Sequence, residues 1–133
     1  LAGEISRIKW YHVKIYTSKS ALFGERITVA DDEKEITFSS GEIIATYDIE
    51  YAISDADIIL CTLPSNLRKT FIRKMMPFVK KKAAIVFFPG YGGAELYCSD
   101  LIQKGVTVFG LQKVPYVART KDPGKIAGLM SKK

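Results

Sequence analysis

Residues 55–93 hold the feature that most limits how this chain can fold. Two short apolar runs, 57–63 and 83–88, are separated by an amphipathic segment long enough to cross back over them. Each run ends in a proline and a polar or glycine-rich bend, Leu63-Pro64-Ser65 and Pro89-Gly90-Tyr91. A strand, a crossover helix and a second apolar strand make a βαβ unit, which forces a parallel pair and a right-handed crossover. The second run, from Ala83 to Phe88, is apolar throughout, as a strand covered on both faces requires. In open α/β sheets ligands bind beyond the carboxyl ends of the strands, so the two bends are the first candidates for a site.

The rest of the chain alternates in the same manner. Leu1, Ile5 and Ile8 have helical spacing and predict a helix over 1–10, while alternation around Val13 and Ile15 predicts a strand over 12–16. Runs 26–30 and 34–38 flank Asp31, Asp32 and Glu33 and read as a hairpin with an acidic tip. Residues 43–46 form another strand, and Asp48 stands where it can cap a helical turn reaching Ser54. In the helix after Ser65, the residues Leu67, Phe71, Ile72, Met75 and Met76 are expected on the core face, with Arg68, Lys69, Arg73 and Lys74 turned to solvent. Pro77 ends or kinks that helix. A further helix from Gly92 or Gly93 to Lys104 stops at Gly105, and 106–111 is a strand. Segments 115–119 and 125–130 are extended around Asp122-Pro123-Gly124. The sum is one α/β domain over 1–133: a doubly wound, mostly parallel sheet with an inserted β-hairpin.

Composition narrows the class. A chain of 133 residues supports one domain with a real core, and hardly two. No apolar run approaches the ~18–20 residues that a membrane span needs, and the start is not a charged region followed by an apolar one. Two cysteines, Cys61 and Cys98, give no framework of bridges and fit a reducing cytoplasm as packing residues. The net charge of +6 admits nucleotides, acidic metabolites or nucleic acid as partners. The basic runs read as solvated faces and a tail, and without interleaved aromatics nucleic acid is not the expected partner.

The motifs for chemistry are few. Pro89-Gly90-Tyr91-Gly92-Gly93 does not fit G-x-G-x-x-G, because Glu95 stands three beyond Gly92, and it lacks the Lys-Ser/Thr ending of a P-loop. It is either a tight strand-to-helix bend or a backbone wall that a cofactor ring approaches closely. In dinucleotide-binding folds the end of the second strand reads the adenosine ribose, and a carboxylate there favours NAD. The corresponding turn here is Thr17-Ser18-Lys19-Ser20, whose hydroxyls and ammonium suit a 2′-phosphate, so NADP is expected, with NAD as the other option. Ser65 or Asn66 can cap the following helix, whose amino-terminal end also attracts an anion. His12 has no partner at metal spacing, and Arg119 reads as an exposed structural residue with an anion contact as the alternative. No acid–base pair is visible, so no catalytic residue and no metal ligand is assigned.

Residues 51–95 and then FGLQKVPYVARTKDPGKI (109–126) resemble the cofactor-binding domain of the octopine/nopaline (opine) dehydrogenase family, relatives of the 2-dehydropantoate 2-reductases. The Val-Pro-Tyr-x-x-Arg element from Val114 to Arg119 narrows the resemblance to the opine group. The resemblance implies a Rossmann-type NAD(P)-binding domain of an oxidoreductase that transfers a hydride between NAD(P)H and a small keto or imino acid. It places Thr17, Ser18 and Lys19 at the adenosine end of the cofactor, and Leu63, Pro64, Ser65, Pro89, Gly90 and Tyr91 nearer the nicotinamide. It also implies a first strand and glycine-rich pyrophosphate loop before Leu1, and a helical domain with the acid–base histidine after Lys133. The chain by itself is then expected to bind cofactor weakly and to be inactive. The expected partner is a small acidic substrate rather than a membrane, and a homodimer stays open. A non-catalytic nucleotide-sensing or interaction module of the same fold is the alternative.

Overall fold

The computed structural model describes residues 2–18, 26–30, 35–39, 43–90, 93–113, 116–122 and 125–131. In chain order the elements are α1 (Ala2–Ser6), β1 (Val13–Tyr16), β2 (Arg26–Ala30), β3 (Glu35–Ser39), β4 (Ile43–Thr46), α2 (Ile49–Ile53) and β5 (Ile58–Cys61). They continue as α3 (Ser65–Met75), β6 (Ala84–Phe87), α4 (Ala94–Tyr97), α5 (Ser99–Gln103), β7 (Thr107–Gly110), β8 (Tyr116–Asp122) and β9 (Lys125–Ser131). They fall into two compact units, Leu1–Asp48 with Pro115–Lys133, and Ile49–Val114.

In the second unit β5, β6 and β7 form a parallel sheet, with Ile58 opposite Ala84, Cys61 opposite Phe87, and Phe87 opposite Gly110. This is the βαβ arrangement expected of a Rossmann-type fold, with α3 as the crossover. The middle strand carries three successive buried residues, Ile85, Val86 and Phe87, so both its faces are covered. Ile72 and Met75 of α3, together with Leu101 and Cys98, complete a core from which water is almost wholly excluded. At the amino end of the sheet the Lys80 Nζ donates to the Asp55 carbonyl at 2.9 Å and to Asp57 Oδ1 at 2.6 Å. Asp57 is open to solvent, so this ion pair contributes little stability and mainly steers the loop entering β6.

The helix expected from Gly92 or Gly93 to Lys104 is two short ones. Cys98, with φ −107° and ψ 8°, leaves helical geometry between α4 and α5, in a Tyr-Cys-Ser stretch of modest helix propensity. Gly105 ends α5 as expected. Its φ of +87° allows the Val106 N–H to reach the Leu101 carbonyl and its own N–H to reach that of Ile102, the double closure of a Schellman motif.

In the first unit β1 and β4 pair in parallel and α1 packs on them. The helix expected over 1–10 stops at Ser6. Its continuation is a pair of turns, and Trp10 at φ +97° cannot propagate a helix. The predicted hairpin is present as antiparallel β2 and β3. The two extended segments near the end are full strands: β8 and β9 pair antiparallel, β9 joins β2 in parallel, and the sheet order is β3-β2-β9-β8. Shifts of register at 117–119 and 120–122 blur the period-two pattern that would have announced β8. Among the described residues no helix is long and apolar enough to cross a membrane.

The ends of β6 and β7 meet backbone to backbone. A Cβ on Gly110 would stand 2.5 Å from the Gly90 Cα, and one on Gly90 would stand 2.3 Å from the Gly110 Cα. Both glycines are therefore required by strand packing. Gly110→Ala is expected to lower unfolding stability by about 3 kcal/mol, the upper end of the cost of overpacking, because the obstacle is backbone that cannot rotate away. Urea denaturation of the full-length variant measures it, and a loss below about 0.5 kcal/mol would contradict the close approach.

Cys98 is fully buried and its thiol is pushed up to about 11, first by burial, then by neighbouring Cys61 and Glu95. An unfolded thiol ionises near 9.0, so between pH 9 and 11 the unfolded chain sheds a proton that the native state keeps. Stability from this group is complete below pH 9 and declines as pH rises, by on the order of 2 kcal/mol at pH 11. Denaturation curves of wild type and Cys98→Ala across that window should converge as pH rises; parallel curves would refute the assignment.

Candidate functional site at the strand ends

Because β5, β6 and β7 are parallel, all three release the chain at one edge of their sheet. The ladder runs on past the strands: the Phe88 N–H donates to the Cys61 carbonyl at 2.9 Å and the Leu111 N–H to that of Phe87 at 3.0 Å. The chain then turns through a cis Phe88–Pro89 peptide, and the Gly90 N–H donates to the Leu111 carbonyl at 2.7 Å. The missing side chain of Gly90 thus makes room for Gly110, which favours the tight-bend reading of this glycine over a wall bared for a ligand.

Beyond β5 the chain passes Thr62 and Leu63 into α3. Pro64 occupies the N-cap with φ −54° and ψ 148°, and no side chain caps the helix. Ser65 and Asn66, expected to cap, are exposed and already inside the first turn, too far along for their oxygens to reach the first N–H groups. One of those N–H groups, that of Leu67, is taken by the Pro64 carbonyl at 3.0 Å. The first turn carries no acidic residue, so its positive end is not offset by a local carboxylate.

The residue that joins these bends is Arg68, which sequence reasoning placed in solvent. It is 2% exposed and is the one buried charged side chain among the described residues. Its Nε donates to the Leu63 carbonyl at 2.8 Å, and its Nη2 donates to the carbonyls of Pro89 at 2.9 Å and Phe88 at 3.3 Å. The guanidinium carbon lies 5.3 Å from the centre of the Phe87 ring, a cation–π distance. Helical side chains lean toward the amino terminus, which is how a residue one turn into α3 reaches back to Leu63. The core face is Arg68, Ile72 and Met75, spaced i, i+4, i+7, and Leu67, expected on it, is 49% exposed. That spacing was the readable signal; it was obscured by taking a charge as a mark of solvent. Cys61, at the end of β5, has its thiol raised by burial, an effect partly opposed by a backbone hydrogen bond at Leu63 and by the Arg68 charge.

Of the expected cofactor residues, Leu63 and Pro89 are tied to one guanidinium, and Pro64, Ser65 and Gly90 adjoin them along the chain. Thr17 and Ser18 belong to the other unit, at the carboxyl end of β1, where the Thr17 N–H continues the pairing with β4 by donating to the Thr46 carbonyl at 3.1 Å. Ser18 is exposed. Lys19 and Tyr91 lie outside the described residues. His12 is exposed, and no group of three or more potential metal ligands occurs among the described residues.

No protein-family model matches the chain. Octopine dehydrogenase of Pecten maximus is 31% identical to it over 111 residues, covering 79% of this chain and 28% of the relative. An octopine dehydrogenase structure with NADH and L-arginine is 27% identical, with a TM-score of 0.79 over 98% of this chain and 36% of that one. The form with NADH and pyruvate gives 28% identity and a TM-score of 0.74 over 90% of this chain and 34% of that one. A 2-dehydropantoate 2-reductase from Geobacter metallireducens, 16% identical with a TM-score of 0.64, covers 96% of this chain and 40% of its own and shares the fold. The chain spans about a third or less of the octopine dehydrogenases it matches. In sequence and in fold it is a relative of the octopine dehydrogenases, with the ketopantoate reductases as more distant neighbours of the same architecture.

Proposed function

We propose that this chain is the nicotinamide-dinucleotide-binding part of an oxidoreductase that moves a hydride between NAD(P)H and a small keto or imino acid held elsewhere in the protein. The observation that carries the reading is the parallel exit of β5 and β6 into adjoining bends beside the uncapped start of α3. Ligands of open α/β sheets gather at such an edge. The octopine dehydrogenase structures with NADH, arginine and pyruvate support the choice of cofactor and substrate class.

The residues present fit such a cofactor. Leu63 and Pro89 offer apolar surface to a planar ring, and the amino end of α3 offers partial positive charge to a phosphate. Leu63, Pro64, Ser65, Pro89, Gly90 and Tyr91 form the nicotinamide side in this reading, and Thr17, Ser18 and Lys19 receive the adenosine ribose. The cofactor, when bound, supplies the hydride. The chain's own residues bind and orient it, so that one face of the ring is presented to the substrate. No proton-transfer role is assigned to a residue of this chain.

The turn after β1 has hydroxyls and no carboxylate through Ser20, which favours NADP. The competing choice, NAD, draws support from the NADH in the octopine dehydrogenase complexes. Titrating the full-length protein with NADPH and NADH, read by nucleotide fluorescence, separates the two. Binding of both with NADPH about tenfold tighter is expected, a difference of about 1.4 kcal/mol. Equal or tighter NADH binding removes the NADP preference, and binding of neither removes the function.

A further inference from the structure

We propose that Arg68 is a positioning residue that holds the bends after β5 and β6 in the geometry that accepts the nicotinamide ring, without itself touching the cofactor. The inference rests on the dinucleotide reading above and adds to it a residue outside the expected cofactor wall. One planar guanidinium donates to carbonyls on two different bends, Leu63 on one side and Phe88 and Pro89 on the other. The angles of the fork are fixed, so the separation and tilt of those carbonyls are fixed with them. A cation–π contact with Phe87, 5.3 Å from the guanidinium carbon to the ring centre, adds a further hold on the head group.

A buried charge is costly, and this one sits where it is least welcome. Its head group reaches back to the amino-terminal end of a helix, whose dipole repels cations, and its described partners are uncharged carbonyls. An apolar side chain of similar volume in register with Ile72 and Met75 would fill the same core at lower cost. What such a side chain cannot supply is three directed bonds to two bends. The charge is spent on the shape of the strand ends, and those bends are the proposed nicotinamide side.

The test uses the full-length protein as wild type, Arg68→Lys and Arg68→Met, with NADH and ADP-ribose as probes. ADP-ribose shares the adenosine, pyrophosphate and ribose groups but lacks the nicotinamide. Lysine keeps the charge on a flexible stem with a point-like head, so it preserves folding and loses the fork. Both variants should bind NADH about tenfold more weakly, with a smaller blue shift of bound NADH emission, and bind ADP-ribose within twofold of wild type. A Lys variant with wild-type NADH affinity overturns the proposal. So does a parallel fall in both affinities, or a Lys variant that fails to fold, since either makes Arg68 a stability residue alone. A wild-type protein that binds ADP-ribose but neither NADH nor NADPH, or none of the three, refutes the dinucleotide reading itself and this inference with it. Loss confined to the variants touches only Arg68.

Discussion

The register that sets Ile58 opposite Ala84 and Ala84 opposite Thr107 makes neighbouring strands run the same way, and a parallel pair cannot be closed by a tight turn. Each strand end must instead be carried across the sheet before the next begins. In 49–114 that journey is made by α3 between β5 and β6, and by α4 and α5 between β6 and β7. Two consequences follow. The loop entering β6 lies at the amino edge, where Lys80 and Asp57 steer it from solvent. The exits lie at the opposite edge, where main-chain polar groups leave the ladder together and must find partners.

Those partners are found on both sides of the bend at 88–90. Toward β5, the Phe88 N–H extends the ladder to Cys61; toward β7, the Gly90 N–H reaches Leu111. Pro89, between them, has no N–H to satisfy, so the chain can turn there without orphaning a donor. What remains are the carbonyls of Phe88 and Pro89, and Arg68 Nη2 donates to both. The approach of Gly110 to Gly90 then lets β7 close against the bend at backbone distance. A side chain at either glycine would push the two exits apart and break the Gly90–Leu111 bond.

How much of this could be read beforehand depends on whether a feature is local. Strands β5, β6 and β7 were legible because each apolar run is bounded by breakers, and the hairpin of β2 and β3 because alternation flanks a polar tip. The two-part helix after Gly93 was not, since the interruption at Cys98 turns on packing and on residues of only mildly weak propensity. The need for glycine at 90 and 110 was invisible for another reason: the two are twenty residues apart, and nothing local says which backbone each will meet. The two bends leave the same edge of the sheet, as a parallel βαβ unit implies, while their connection through Arg68 was missed. Hydropathy assigns a charge to solvent, and only the i, i+4, i+7 register with Ile72 and Met75 argued otherwise.

The charges of α3 show why the identity of a residue is a poor guide to its role. Arg73 and Lys74 lie in the last turn, exposed, where a cation complements the negative end of the helix dipole. Lys69 is exposed as well, one residue from Arg68 and on a different side. Arg68 alone is folded inward, against the dipole, and compensated by carbonyl dipoles aimed at it. Three of its N–H directions are consumed in shaping the bends, but hydrogen bonds to neutral acceptors do not cancel a unit charge. Within the structure that charge is felt by the buried Cys61 thiol, where it opposes part of the rise that burial imposes. At the strand ends the same residue acts through the direction of its bonds, which an apolar side chain of equal volume cannot reproduce.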